Sequence, residues 1–196
     1  MTTSRTVPAL ARILTALGLV ALVSACKGLT SIDASLQNET ATDTVYALNG
    51  GPPGSPNAFK FALGIPVHAD LSFAFDVAFD IDASGNVIVI PARALATNFS
   101  SPYSVGLQTV VDSFPNVLEA PKDGYRADTS TTIPVGKTIV AESRDFNTCL
   151  NSLKGQSYYS KLFVTEVDPV TRRIIFVVTV NRNCGFRSFA PGIPQD

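Results

Sequence analysis

From Leu71 to Ile81 every odd position is apolar: Leu71, Phe73, Phe75, Val77, Phe79 and Ile81. The even positions hold Ser72, Ala74, Asp76, Ala78 and Asp80. Side chains on a β-strand alternate between faces, so this spacing predicts one long strand with a Phe-lined inner face and an acidic or small outer face. A helix would scatter the same six apolar residues around its circumference. Asp82-Ala83-Ser84-Gly85-Asn86 reads as a turn, and Val87 to Ile90 returns as the partner strand until Pro91 stops it. On this reading the Asp column faces solvent and discourages edge-to-edge association.

Further along the chain the pattern repeats. Thr42–Leu48, Phe59–Ile65 and Gly136–Ser143 are short, β-rich runs. Asn49 to Pro56 packs three prolines and three glycines into eight positions, which forbids regular structure. That loop lacks the order of a phosphate-cradling P-loop, and its prolines remove the amides that would do the cradling. Tyr103–Asp112 fits both a strand and a helix face, and its β-branched content favours strand. Residues 113–125 read as loop with at most one helical turn. Lys161–Val167 and Ile174–Val180 form a second hairpin across Asp168–Arg173, and the return strand IIFVVTV, apolar on both faces, belongs inside a sheet. Pro91 to Pro102 is less regular and marks a candidate boundary between two small β modules. The whole predicts an all-β fold, a two-sheet antiparallel β-sandwich with little helix, whose core comes mainly from the 71–90 and 161–180 hairpins.

The N-terminus follows a different pattern. Arg5 and Arg12 precede an uncharged apolar run, Ile13 to Val23. Only 14 residues separate Arg12 from Lys27, too few to cross a bilayer that needs about 20. Signal-peptide geometry fits this stretch better than a membrane span. The run ends Leu22-Val23-Ser24-Ala25-Cys26, which resembles a bacterial lipobox. That resemblance covers residues 1–26 alone. It implies cleavage after residue 25, acylation of Cys26 by several chains, and stable attachment to a lipid bilayer. Lys27 rather than Asp follows the Cys, which in enteric-type lipoproteins resembles cargo sent on to the outer membrane. Residues 27–41 are polar and aperiodic and read as a tether, spanning at most roughly 45–50 Å when extended. The expected organisation is therefore signal peptide 1–25, lipidated Cys and tether 26–41, and one β-rich domain 42–196.

Composition changes this picture little. With 45% hydrophobic and 16% charged residues the chain is ordinary globular material. The net charge is −1, and a surface engaging nucleic-acid phosphates needs far more Lys and Arg. Once Cys26 is lipidated, Cys149 and Cys184 remain. In an oxidising envelope compartment two cysteines most simply form a disulfide. A closed loop of about 35 residues stabilises a fold by roughly 4 kcal/mol in the chain-entropy model. Zinc would need more ligands than these two and His68, the single histidine.

Candidate chemistry is sparse. Asp80, Asp82, Ser84 and Asn86 fall on a D-x-D-x-S-G-N pattern resembling the start of an EF-hand calcium loop. The twelfth position, which should supply a bidentate Glu, is Pro91, so an ordinary hairpin turn is the better reading. One histidine limits general-base schemes, Asp70 lies two residues beyond it, and no G-x-S-x-G elbow presents a serine. Glu119, Glu142 and Glu166 are the carboxylates available for glycoside cleavage, with no motif marking them. Tyr158, Tyr159, Phe186 and Phe189 suit either groove lining or core packing. No cofactor is called for. The leading expectation is a non-enzymatic envelope lipoprotein acting as a binding or structural module, with a protein or glycan partner, and the alternative is a carboxylate-dependent hydrolase of an envelope or extracellular polymer.

Overall fold

In a computed structural model, described over residues 33–70, 74–95, 103–149 and 151–195, the domain from Ala34 to the C-terminus is all-β. Eleven strands form two antiparallel sheets. The larger runs β1 (Glu39–Tyr46), β11 (Arg173–Asn181), β10 (Ser157–Asp168), β9 (Thr138–Asp145), β6 (Tyr103–Val110) and β7 (Arg126–Ala127) from edge to edge. The smaller runs β3 (Ile65–Val67), β2 (Ala58–Lys60), β4 (Val77–Ile81), β5 (Val87–Pro91) and β8 (Thr131–Ile133). Among the described residues, helix is confined to single turns at Ala92–Leu95, Phe114–Asn116 and Phe146–Cys149.

The core lies between the sheets, as the alternation requires. Val77, Phe79, Ile81, Val87 and Val89 from the smaller sheet meet Leu162, Val164, Ile174, Phe176, Val178 and Val180 from the larger. Phe176 stacks on Phe79 at 5.1 Å between centroids and meets Phe59 edge-on at 5.5 Å, both favoured aromatic geometries. Full burial of each such side chain contributes about 1.5–3 kcal/mol. The second hairpin forms as its pattern predicts, and β11 is paired on both sides, by β1 and β10. Cys149 and Cys184 are bonded, with Cα atoms 5.6 Å apart.

Three expectations need correction. The 71–81 run is not one strand. Residues 71–73 lie outside the described residues, Phe75 and Asp76 form a bend, and the strand proper is Val77–Ile81. Its even-numbered face is not solvated either: Asp76, Ala78 and Asp80 are all buried. β4 is an interior strand flanked by β2 and β5, and Phe75, Ala78, Ala58 and Ala92 form a small second layer on its other face. The Asp column therefore guards no edge. Finally, 91–102 does not divide two sequential modules. β1 pairs with β11 and β5 with β8, so strands from both sides of that segment share each sheet and one core.

At finer scale, Phe59–Ile65 breaks into β2 and β3 because Gly64 takes a left-handed turn (φ 68°) between them. The strand expected from Thr42 starts at Glu39, so part of the supposed tether is sheet. Tyr103–Val110 is strand, resolving that ambiguity as its β-branched content indicated.

Candidate functional site

Two polar clusters use nearly the same side chains. Tyr158 and Tyr159 are neighbours on β10, opposite Ser143 and Glu142 of β9. By the period of two, one tyrosine enters the core and the other crosses the outer face. Tyr158 donates its hydroxyl to Asp76 Oδ1 at 3.0 Å, and the Phe61 amide donates to Oδ2 at 2.8 Å. Lys60 Nζ lies 3.7 Å from the same carboxylate. Desolvation raises the Asp76 pKa, outweighing the Lys60 ammonium and the hydrogen bonds that pull it down. Asp76 is 1% exposed. This cluster joins the two sheets and admits no ligand.

The outward cluster is the candidate site. Glu142 Oε1 accepts from Ser157 Oγ at 3.0 Å and from the Tyr159 hydroxyl at 3.4 Å, while Oε2 faces Arg144 Nη2 at 3.4 Å. Glu142 and Arg144 border an open groove of about 260 Å³ between β6, β9 and the 122–125 loop. Gly106 makes the groove wall possible: a Cβ there would meet Tyr125 Cβ at 2.7 Å. Tyr125 instead lies across β6, its hydroxyl donating to Pro121 O at 3.1 Å and its ring 6.3 Å from that of Tyr159. Burial, and then the nearby Glu142 charge for Tyr159, push both phenols up. They stay protonated at neutral pH and act as hydrogen-bond donors rather than nucleophiles.

Beneath the groove, Val117, Ala120, Val140, Tyr159 and Phe189 make a small apolar cluster on the outer face of the larger sheet. The C-terminal tail holds it closed. Ala120 and Phe189 amides bond to Arg187 and Leu118 carbonyls, Arg187 Nε donates to Ala120 O, and Arg187 pairs with Glu119. Lys161 is the unexpected member. It is 4% exposed, and its ammonium donates to Phe114 O at 2.7 Å and Val117 O at 2.9 Å while lying over the Phe114 ring. Burial lowers its pKa. It ties the 114–117 turn to the sheet.

The other sequence candidates are placed elsewhere. Glu119 and Glu166 are exposed partners of Arg187 and Arg173. His68 is exposed beside β3, at the edge of the smaller sheet, and does not line the groove. Phe186 lies under Lys154. The calcium pattern does not form a cradle. Asp80 is clamped by Arg172, whose guanidinium also reaches Ile81 O, and by Asn49. Asp82 is turned onto the Ser84 and Asn86 amides, and the Asn86 amide above all holds its carboxyl below the usual range. Among the described residues no three His, Cys, Asp or Glu side chains are grouped to hold a metal.

Sequence reasoning missed the asparagines. Asn181, fully buried, donates to Phe186 O and Ser188 O and accepts from Asn183. Asn183 in turn receives the amides of Ser35 and Leu36, and Asn38 donates to Ser188 O and Ala190 O. The start of the domain is thereby sewn to its end. The only signal was the clustering of Asn residues around Cys184. Comparison with protein-family models, curated proteins and solved structures finds no match for this chain.

Proposed function

We propose that this chain is a lipid-anchored envelope protein, cleaved before Cys26, acylated there, and displaying the β-sandwich as a non-enzymatic binding module. The observation that carries the reading is the Cys149–Cys184 disulfide downstream of a lipobox-like sequence. Disulfides persist in oxidising compartments such as the bacterial periplasm or cell surface and are rare in the cytosol. Two independent features, one in the leader and one in the domain, thus point to the same address. The outer-face groove supplies the binding surface, with carboxylates, a guanidinium and the protonated Tyr125 phenol at its border. That set suits a polar protein loop or a glycan.

Metabolic labelling with palmitate, followed by membrane fractionation, tests the anchor. Wild type takes up label and sediments with the outer membrane; Cys26→Ala does neither. Retention of label by the Cys26→Ala protein would sink the reading. The hydrolase alternative has one observation in its favour, namely that Glu142 and Asp123 border the same groove. It is tested by incubating wild type, Glu142→Gln and Asp123→Asn with envelope polysaccharide and measuring released reducing ends. Release by wild type that both variants lose would replace the binding reading with hydrolysis.

A further inference from the structure

The strands fix the end of the sandwich at which the domain's chain begins. β1 begins, β11 ends, β10 begins and β9 ends at one and the same end, since Glu39 is opposite Val180, Tyr159 opposite Asn181, and Ser157 opposite Arg144. The chain leading back toward Cys26 leaves there, where Asn183 holds Ser35 and Leu36. We propose that this end is a bilayer-contacting surface, with Leu36 and Leu153 entering the lipid interface and Lys122 and Lys154 meeting phospholipid phosphates. The proposal rests on acylation at Cys26.

Leu153 is 89% exposed and Leu36 48%. A loop tip carrying a bare leucine is usually free to fold it away, but this one is fastened. The disulfide closes its base, Ser152 Oγ donates to Cys184 O at 3.3 Å, and two glycines let the backbones touch. A Cβ on Gly185 would come within 2.6–2.7 Å of the Lys154–Gly155 backbone, and one on Gly155 within 3.0 Å of Gly185 Cα. Leucine and lysine are thus presented side by side on a tip whose ordering entropy is spent in folding, which favours interfacial binding. Lys154 also borders a hollow of about 580 Å³ shared with Lys122 and the half-exposed Leu118.

Reach supplies the occupant. Eight residues from Cys26 to Ala34 extend at most about 28 Å, whereas β10 alone runs about 36–40 Å from Ser157 to Asp168. A leash that short keeps the tethered end at high effective concentration against the lipid and the β10–β11 turn away from it. Val170, 88% exposed on that far turn, is the built-in control.

The chain contains no tryptophan, so Leu153→Trp and Val170→Trp each create a single reporter. Each acylated full-length protein is reconstituted into phosphatidylethanolamine–phosphatidylglycerol vesicles carrying brominated acyl chains. The expected result is a blue-shifted emission at position 153, quenched roughly three-fold or more beyond that at 170. Adding Lys154→Glu should halve the quenching at 153, roughly. Equal quenching at both positions, or none at 153 in vesicle-bound protein, overturns the proposal. Protein that fails to float with the vesicles and carries no acyl mass on Cys26 refutes the anchor itself, and the contact surface with it.

Discussion

Asp76 with Tyr158 and Glu142 with Tyr159 are the same chemistry, built on neighbouring tyrosines of β10 but on carboxylates from different sheets, Asp76 just before β4 and Glu142 on β9. One cluster is sealed between sheets, where Phe61, Tyr158 and Lys60 satisfy a carboxylate that burial alone would neutralise. The other opens onto a groove, with Arg144 largely exposed at its border. The difference teaches that a carboxylate–tyrosine pair is a structural clamp or a binding site according to the face its strand register assigns. Composition cannot distinguish them.

The sharpest way to break that comparison is Asp76→Ala. Removing one member of a buried ion pair takes the carboxylate away from Lys60 and from the Tyr158 hydroxyl, which costs about 3–5 kcal/mol. Chemical denaturation should show it as a large drop in midpoint, and a loss under about 1 kcal/mol would mean that the clamp is not holding the sheets. Tyr158→Phe should cost less, about 1–3 kcal/mol, by orphaning one acceptor. Tyr159→Phe, which removes a 3.4 Å contact from a half-open cluster, should cost under about 1 kcal/mol.

A pH series sharpens the same contrast. The folded-state pKa of Asp76 is raised, so between the unfolded value near 3.8 and the higher folded value the native state binds the extra proton. This group therefore makes stability fall as pH rises through that window, the reverse of an ordinary paired carboxylate. Asp82 and Asp168, held below the usual range by amides and, for Asp168, the Thr171 hydroxyl, contribute stability that is lost as pH falls. Relative to Asp76→Asn, which has no carboxyl to titrate there, wild type should accordingly gain thermal stability on going from about pH 7 toward pH 4. A constant gap across that range would refute the burial argument. The smallest effect belongs to Glu142→Gln. It keeps an acceptor for the Ser157 and Tyr159 hydroxyls and should cost under about 1 kcal/mol, while weakening whatever the groove binds.

Much of this was legible in the chain. Two strong hairpins, the all-β class and the cysteine pair follow from alternation, turn residues and counting. Less legible was the meaning of alternation at Leu71–Ile81, where period two identifies opposite faces but not which of them water reaches. Asp76 and Asp80 read as solvent-facing because acids normally are. They are buried because Arg172, from a turn some ninety residues away, clamps Asp80, and Tyr158 from the opposing sheet meets Asp76.

The groove was beyond sequence reasoning for a related reason. Glu142 has no motif, and its partners lie on β9, on β10 and across β6 through Tyr125. Only antiparallel register brings Tyr159 opposite it and Ser157 within reach, opposite Arg144, and only Gly106 leaves room for the tyrosine that forms the wall. What the sequence determined by itself was local: where strands run, where turns fall and which thiols can pair. Exposure, clamp geometry and the concave site were decided by tertiary structure, because each depends on residues that meet through sheet pairing and not through proximity along the chain.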